Sequence, residues 1–488
     1  MTSVRRALAI SFIERYALIV LGLVSNILVA RLLTPDQIGL YSVSLAVISI
    51  AQVLRDFGIG NFLIQEKNLS EAHIRTAFGI SLLMGGGLFI VVFVAAPWAG
   101  EFYSQDQIVD TMRISSLNFL VLPFCTISLA LLRRNMQFDR VAMVTLAASA
   151  VGVSVTVVLA YMGYGPNSMA IGAVAGNLVT GIGSWIARSD RNVLRPTLSE
   201  WRTVVKFGGQ SSLTGIATSI SMDANDLVVG KVLGFHPVAI LSRAQGLMNL
   251  FHRDLMAAVR GVALPAFAAA HRRCEDVEAQ HARSVAIVTV FAWPFYGIVS
   301  LYSLEVLRLL FGSQWDDAAV LVPFFCIAGA LTSVISLIST LLLALGRIDL
   351  VTRAEMLLQP FRFVLIALAA IIFRSVEACA LAYLVSAIAT LPVFLRAKKL
   401  AIGGNRIESH RYLLPSLWVT LVTLLPAILH TAFSGFVRSE PIAFPFVILS
   451  CTFAACGWIV AAIWFNHPVA REPLFLRFLD AVVKRGVH

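Results

Sequence analysis

Long apolar runs, separated by short clusters of charge, proline and glycine, constrain this chain more than any single motif. Fourteen of them fall at about 8–30, 38–60, 74–97, 108–132, 141–162, 168–187, 204–230, 238–262, 284–304, 318–345, 351–373, 378–395, 412–431 and 442–465. Each approaches the ~20 residues that a helix needs to cross the hydrocarbon core of a bilayer. Charged residues are only 13% of the chain, about half of the ~25% typical of soluble domains. The pattern predicts an all-α polytopic membrane protein of about fourteen transmembrane helices. A soluble enzyme with one anchor is excluded.

The segments between the runs do not exceed about twenty residues, which leaves no room for an extramembrane catalytic domain. No GxxxxGK[ST] phosphate loop occurs. The six cysteines, Cys125, Cys274, Cys326, Cys379, Cys451 and Cys456, lack the paired CxxC spacing of a zinc site and read as small packing residues. No cofactor, metal or catalytic activity is expected. Gly58-Ile59-Gly60 and Gly181-Ile182-Gly183 lack the third glycine of a nucleotide loop and read as helix-packing glycines. Arg5-Arg6 precedes an apolar stretch, but Glu14 and Arg15 interrupt it and no small-residue cleavage site follows. A retained first helix is expected there, not a signal peptide.

The net charge of +11 invites a nucleic-acid reading, which would place basic residues in patches beside aromatics. Here they sit at the ends of apolar runs. With the N-terminus inside, the inner segments carry twenty-six Lys and Arg and the outer ones five: Arg31, Lys231, Arg308, Arg374 and Arg438. That is a strong positive-inside bias. It places both termini in the cytoplasm and argues against a nucleic-acid partner.

An internal echo divides the chain. ARLLTPDQIGLY at 30–41 and GKVLGFHPVAIL at 230–241 match at an offset of 200, pairing Arg31 with Lys231 and Leu33 with Leu233. Phe102-Tyr103-Ser104-Gln105 is echoed by Phe311-Gly312-Ser313-Gln314. Two six-helix lobes, 1–200 and 201–400, are expected to form a parallel repeat, with 401–488 adding two helices and a cytoplasmic tail. A binding site is then expected between the halves. Within the first hairpin, Thr34, Pro35 and Gln37 have capping-box spacing.

Ionisable groups inside a bilayer cost ~2.5–3.5 kcal/mol on insertion scales and usually face a cavity or each other. Ser11, Arg15, Gly22 and Asn26 form one helical stripe, and Ser212, Gly215, Ser219, Asp223 and Asp226 form another, with Asn26 matching Asp226 at the offset. Glu355, Gln359 and Arg362 share a face beside Pro360; Arg243 with Asp254, and Arg253 with Arg260, are expected to share faces. Arg15, Arg55, Arg243, Arg253 and Arg362 are the candidate cationic substrate site, since guanidinium groups bind phosphates bidentately. Glu14, Asp56, Asp223, Asp226 and Glu355 are candidates for H⁺ or Na⁺ coupling, or for pairing within the cavity. The alternative is snorkelling to headgroups. It weighs equally for Arg55, Asp56, Arg253, Asp254 and Arg260 near inner helix ends, and least for Arg362, which lies deepest.

The segments ARLLTPDQIGLY (30–41), RDFGIGNFLIQEKNLS (55–70), DLVVGKVLGFHPVAILSRAQGLMNLF (226–251) and ALPAFA (263–268) resemble, in order and spacing, the polysaccharide transporter family of oligosaccharide flippases. The superfamily also holds multidrug/toxin extrusion proteins and lipid II flippases. The resemblance implies two six-helix lobes around a central cationic cavity open to alternate sides. It implies an undecaprenyl-pyrophosphate-linked oligosaccharide moved across the bacterial inner membrane for exopolysaccharide, capsule or O-antigen synthesis. Membrane lipids, a polymerase and a chain-length regulator are the implied partners. An ion-coupled drug exporter of the same fold is the second reading, against which the excess of interior Arg argues. A membrane polymerase or glycosyltransferase is the third, disfavoured by the short loops.

Overall fold

The computed structural model describes residues 2–56, 58–188, 195–202, 204–205, 225–402, 409–434, 442–473 and 475. Among them every regular element is helical. Eleven helices are long and apolar enough to cross a membrane by length and composition. The core is apolar, but large apolar side chains also cover much of the outer surface, as a lipid environment allows. Large apolar side chains such as Leu83, Ile90, Val94 and Trp98 lie exposed along one helix, whereas Ser44, Thr111, Ser333 and Thr390 are buried. The buried hydroxyls are satisfied locally: Ser44 Oγ donates to Leu40 O at 2.9 Å and Thr390 Oγ1 to Ser386 O at 2.7 Å. In lipid every polar group must find its partner inside the protein.

The chain forms two compact units, Met1–Ala239 and Ile240–His488. The first begins with α1 (Thr2–Leu32) and α2 (Pro35–Asp56). The turn between them is the expected capping box: Gln37 N donates to Thr34 Oγ1 at 3.4 Å and Thr34 N to Gln37 Oε1 at 3.1 Å. Such a cap contributes about 1 kcal/mol. A short helix, α3 (Ile59–Gln65), follows Gly58, whose φ of 60° is left-handed. Gly58 is therefore a turn glycine that separates α2 from α3 and does not pack two helices, and the second apolar run is shorter than the residue pattern suggested. Gly60 and Gly183 do lie at van der Waals distance from neighbouring helices, against Thr126 and Val144.

The unit continues with α4 (Glu71–Tyr103), α5 (Asp106–Ser116), α6 (Asn118–Arg134), α7 (Phe138–Tyr161) and α8 (Pro166–Ala187). At 33 residues, α4 is about 50 Å long, well beyond the hydrocarbon core. Pro123 in α6 has no N–H to give Phe119 O, and Gly85 of α4 lets that carbonyl come close enough that any Cβ would collide with it. Pairing of α7 with α8 follows the same logic. Gly152, Gly172 and Gly176 bring the two backbones together, with carbonyls of Ala148 and Gly172 3.1 Å from where a Cβ would stand. A helix over 225–232, α9, and the start of α10 (Phe235–Asn249) complete the unit. α2 starts at Pro35 and α10 at Phe235, so the echoed hairpins turn at an offset of 200. Gly234, with φ 97°, stands where Thr34 caps the first hairpin.

The second unit carries α10 into a π-helical segment, Leu250–Leu255, and α11 (Met256–Arg272). It continues with α12 (Val277–Leu301), α13 (Ser303–Leu310), α14 (Val322–Ala344), α15 (Ile348–Leu368), α16 (Val376–Ile402), α17 (Ser409–Ser434) and α18 (Phe444–Trp464). Pro360 lies inside α15 without ending it. The last two helices are fastened to α12 by polar bonds in an apolar setting. Trp458 Nε1 donates to Val290 O at 2.8 Å, and Ser416 Oγ lies 3.0 Å from Thr289 Oγ1 and 2.9 Å from His467 Nε2. His467 Nδ1 accepts from Val469 N at 3.2 Å, so the ring proton resides on Nε2 and is donated to Ser416.

Candidate functional site

In the first unit, Glu14 on α1 accepts a 2.6 Å hydrogen bond from Thr145 Oγ1 on α7. That bond orients the carboxylate and leaves the neighbouring Arg15 exposed. Arg15, Gly22 and Asn26 are all exposed, and nothing lies within 4 Å of where a Gly22 Cβ would be. The side chain of Ser11 lies outside the described residues, and Ile13, Val20 and Val24 of α1 are exposed as well, so the stripe is open without forming a separate polar face. Arg55 is buried at the end of α2, within electrostatic reach of Cys125. The side chain of Asp56, and all of Asp223, lie outside the described residues. Asp226 is half-buried in α9.

In the second unit Arg243 is 8% exposed, with its guanidinium 4.4 Å from the Phe311 ring and 4.2 Å from the Trp315 ring. A desolvated cation–π contact is worth ~2 kcal/mol or more. The Phe311 segment thereby receives a physical task that its echo of Phe102 did not indicate. In the first unit Lys231 lies over the Phe102 ring at 4.5 Å and donates to Phe102 O.

Arg253 is exposed, while Arg260 donates to Ser336 Oγ at 2.8 Å. The side chain of Asp254 lies outside the described residues, and the π-segment Leu250–Leu255 interrupts the α-helix on which the expected shared faces were drawn. The π-segment widens the helix, and one extra residue rotates everything beyond it by about 100°. Glu355 accepts from Gln359 Nε2 at 2.8 Å, one turn along α15, as their spacing implied. Arg362 lies on the next turn, with its Cζ 5.4 Å from the Tyr383 ring centroid.

Three groups converge near Arg362 that residue spacing alone did not single out. His252, on the π-segment, is within electrostatic reach of both Arg260 and Arg362. The Gln245 amide lies near the Tyr383 hydroxyl. The Phe325 ring stands 5.0 Å from Tyr383. The group comprises two guanidiniums, an imidazole, a phenol, an amide and a hydroxyl. The π-segment carries no mark in the apolar pattern, which is why His252 was not legible.

A second buried charge cluster joins α16 to α12. Lys398 Nζ donates to Glu278 Oε1 at 2.8 Å and lies 3.2 Å from His281 Nδ1. Lys398 counted among the inner-segment charges, but the structure buries it. Among the described residues no group of three or more His, Cys, Asp or Glu could hold a metal ion.

Helical regular structure throughout the described residues, with eleven candidate spans among them, exposed apolar flanks and cationic side chains on the helices, defines a multi-span membrane protein. Over residues 28–320 it matches the model of the polysaccharide biosynthesis protein family, and it belongs to that family. It is 26% identical over 346 residues to the lipopolysaccharide biosynthesis protein WzxC of Escherichia coli (strain K12), covering 70% of each chain. The fold resembles that of the lipid II flippase MurJ in an inward closed conformation, with a TM-score of 0.75, 14% identity and coverage of 94% of this chain and 98% of that one. It also resembles an inward-facing multidrug resistance MATE transporter of the MOP superfamily, with a TM-score of 0.63, 16% identity and coverage of 79% and 96%. These structural neighbours are a flippase and a transporter by name, and not enzymes.

Proposed function

We propose that the chain moves an undecaprenyl-pyrophosphate-linked oligosaccharide from the inner to the outer leaflet of the bacterial inner membrane, for exopolysaccharide, capsule or O-antigen synthesis. The carrying observation is the excess of guanidinium over carboxylate on its helices. Arg15 is exposed on α1, and Arg260 and Arg362 both lie within electrostatic reach of His252. A pyrophosphate bridge needs such partners to leave water. The family membership and the WzxC relative support the same reading. Arg15, Arg55, Arg243, Arg253 and Arg362 are the proposed cationic groups. Glu14, Asp56, Asp223, Asp226 and Glu355 are proposed for H⁺ or Na⁺ coupling or for pairing.

The proposed topology has fourteen spans, both termini in the cytoplasm and a parallel repeat of six-helix lobes working by alternating access. The two hairpins that turn at Pro35 and Phe235 support the repeat. Membrane lipids surround the protein, and a polymerase and a chain-length regulator are its proposed downstream partners. The MATE-like fold keeps an ion-coupled drug exporter as the second reading. Deleting the gene and extracting the lipids separates the two. The flippase reading expects an undecaprenyl-pyrophosphate-linked oligosaccharide to accumulate on the cytoplasmic side with loss of surface polysaccharide. Unchanged polysaccharide, with new sensitivity to cationic drugs, would favour the exporter.

A further inference from the structure

The stretch that joins the two echoed parts of the chain carries exposed apolar side chains that a linker in water does not need. Its described residues are fastened along the start of α4. Thr197 N donates to Arg75 O at 3.3 Å, and Glu200 N donates to Thr76 Oγ1 at 3.3 Å. Thr76 Oγ1 also lies 3.4 Å from the hydroxyls of Thr197 and Ser199. Gly79 admits the Thr197 carbonyl, which a Cβ there would strike. Val204 is buried in one apolar cluster with Phe62, Leu63 and Phe78. The backbone is thus held on both sides, yet Leu198 is 48% and Trp201 49% exposed. Trp201 N donates to Leu198 O at 3.4 Å, and residues three apart on such a turn are neighbours. Arg195 and Arg202, both exposed, flank the pair, with Arg202 Cζ 5.7 Å from the Trp201 ring centroid.

The length of α4 sets the depth of this stretch. At about 50 Å it overhangs a ~30 Å hydrocarbon core by ~10 Å at each end when centred on it. Arg75 and Gly79 follow the start of the helix at Glu71 by ~6 and ~12 Å along its axis. The fastened residues therefore lie where hydrocarbon gives way to headgroups. Tryptophan and leucine beside cations suit that boundary, and a guanidinium pairs there with phosphate.

We propose that residues 195–202 form an interfacial anchor for anionic phospholipid, with Leu198 and Trp201 inserted at the top of the acyl chains and Arg195 and Arg202 on the headgroup phosphate. The preferred headgroup is of the phosphatidylglycerol type, whose phosphate has no ammonium of its own to neutralise it. This assignment needs only the bilayer and stands apart from the flippase reading.

The test uses the full chain in phosphatidylcholine nanodiscs doped with phosphatidylglycerol or phosphatidylcholine brominated near the top of the acyl chains. The Trp201 share of the emission is the difference between a chain and its Trp201→Phe counterpart, and bromine quenches it only on close approach. Half-maximal quenching by the brominated phosphatidylglycerol is expected at about fivefold lower mole fraction, equivalent to ~1 kcal/mol. The double variant Arg195→Gln, Arg202→Gln is expected to lose most of that preference while both lipids still quench Trp201, which shows that the segment remains folded and inserted. The double variant Arg195→Lys, Arg202→Lys, which retains both charges, is expected to keep most of it. A Trp201 share that neither lipid quenches would place water or a protein partner against the segment and overturn the proposal. Equal half-maximal mole fractions in the wild-type chain, or a preference unchanged in the Gln double variant, would overturn it too. Inorganic pyrophosphate and sulfate at equal ionic strength are expected to relieve the quenching equally; selective relief by pyrophosphate would assign the two arginines to substrate recognition instead. None of these failures touches the flippase reading, which the deletion strain reports separately.

Discussion

Replacing Lys398 with Met removes a cation that the structure has enclosed. Its side chain is 5% exposed and that of its partner Glu278 11%, at 2.8 Å. In the variant the Glu278 carboxylate and the His281 ring stay buried on α12, facing an apolar group where an ammonium stood. Uncompensated burial of one member of such a pair costs about 3–5 kcal/mol, whereas replacing both members with apolar residues of similar volume is often neutral or stabilising. Lys398→Met is therefore expected to lose about 3–5 kcal/mol. The double variant Lys398→Met, Glu278→Leu is expected to recover most of that loss. Reversible denaturation of the purified chain in detergent micelles, read by tryptophan fluorescence, supplies the four corners of a double-mutant cycle. A single variant within about 1 kcal/mol of wild type, or a double variant whose loss equals the sum of the singles, would refute the reasoning. In the first case Lys398 would be reaching water, as its place among the inner-segment charges implied.

The neutral His467 ring makes the attachment of α17 and α18 sensitive to acid, because burial pushes its pKa down to about 4. The unfolded chain takes up its proton near pH 6.5, so the stabilisation is fully present above that value and is lost as pH falls from 6.5 toward 4. Unfolding midpoints measured across this range should fall, and His467→Gln should flatten the fall. Gly172→Ala would place a Cβ against the Thr156 hydroxyl and 2.8 Å from Gly152 O, an overpacking expected to cost about 1–3 kcal/mol. Gly86→Ala, with nothing within 4 Å, is expected to be neutral or stabilising in the same denaturation assay, and equal behaviour of the two would argue against backbone contact between α7 and α8. Arg243→Ala and Arg362→Ala are each expected to lower polysaccharide export while the protein stays in the membrane; normal export by both at wild-type abundance would remove them from the cationic site. Reporters fused near residues 195 and 400 should be cytoplasmic and one near 105 external, and a cytoplasmic signal at 105 would invert the topology.

Much of the helical plan was open to reading because in lipid the backbone satisfies itself within each helix, so span length and apolar composition are written locally. The Thr34–Gln37 capping box and the Glu355–Gln359 pair were legible for the same reason: both are contacts three or four residues apart. Arg362 stood out because a charge deep in an apolar run has few explanations. Gly58 was misread because a glycine that ends a helix and one that packs two helices look alike without the backbone dihedral. The π-helical turn over Leu250–Leu255 was not legible, because such a segment leaves no trace in hydrophobic periodicity.

What the residues alone determined is the solvent: too little charge for water, with enough apolar length, suitably spaced, for a bundle of membrane helices. They also marked which charges would be costly. Only the tertiary structure decided what each of those charges meets. It enclosed Arg243 between Phe311 and Trp315, buried Lys398 against Glu278, and brought His252 of the π-segment to Arg362 across more than a hundred residues of chain. Helical spacing reports neighbours within one helix, whereas the partner of a buried charge is chosen by packing between helices, and no local pattern carries that information.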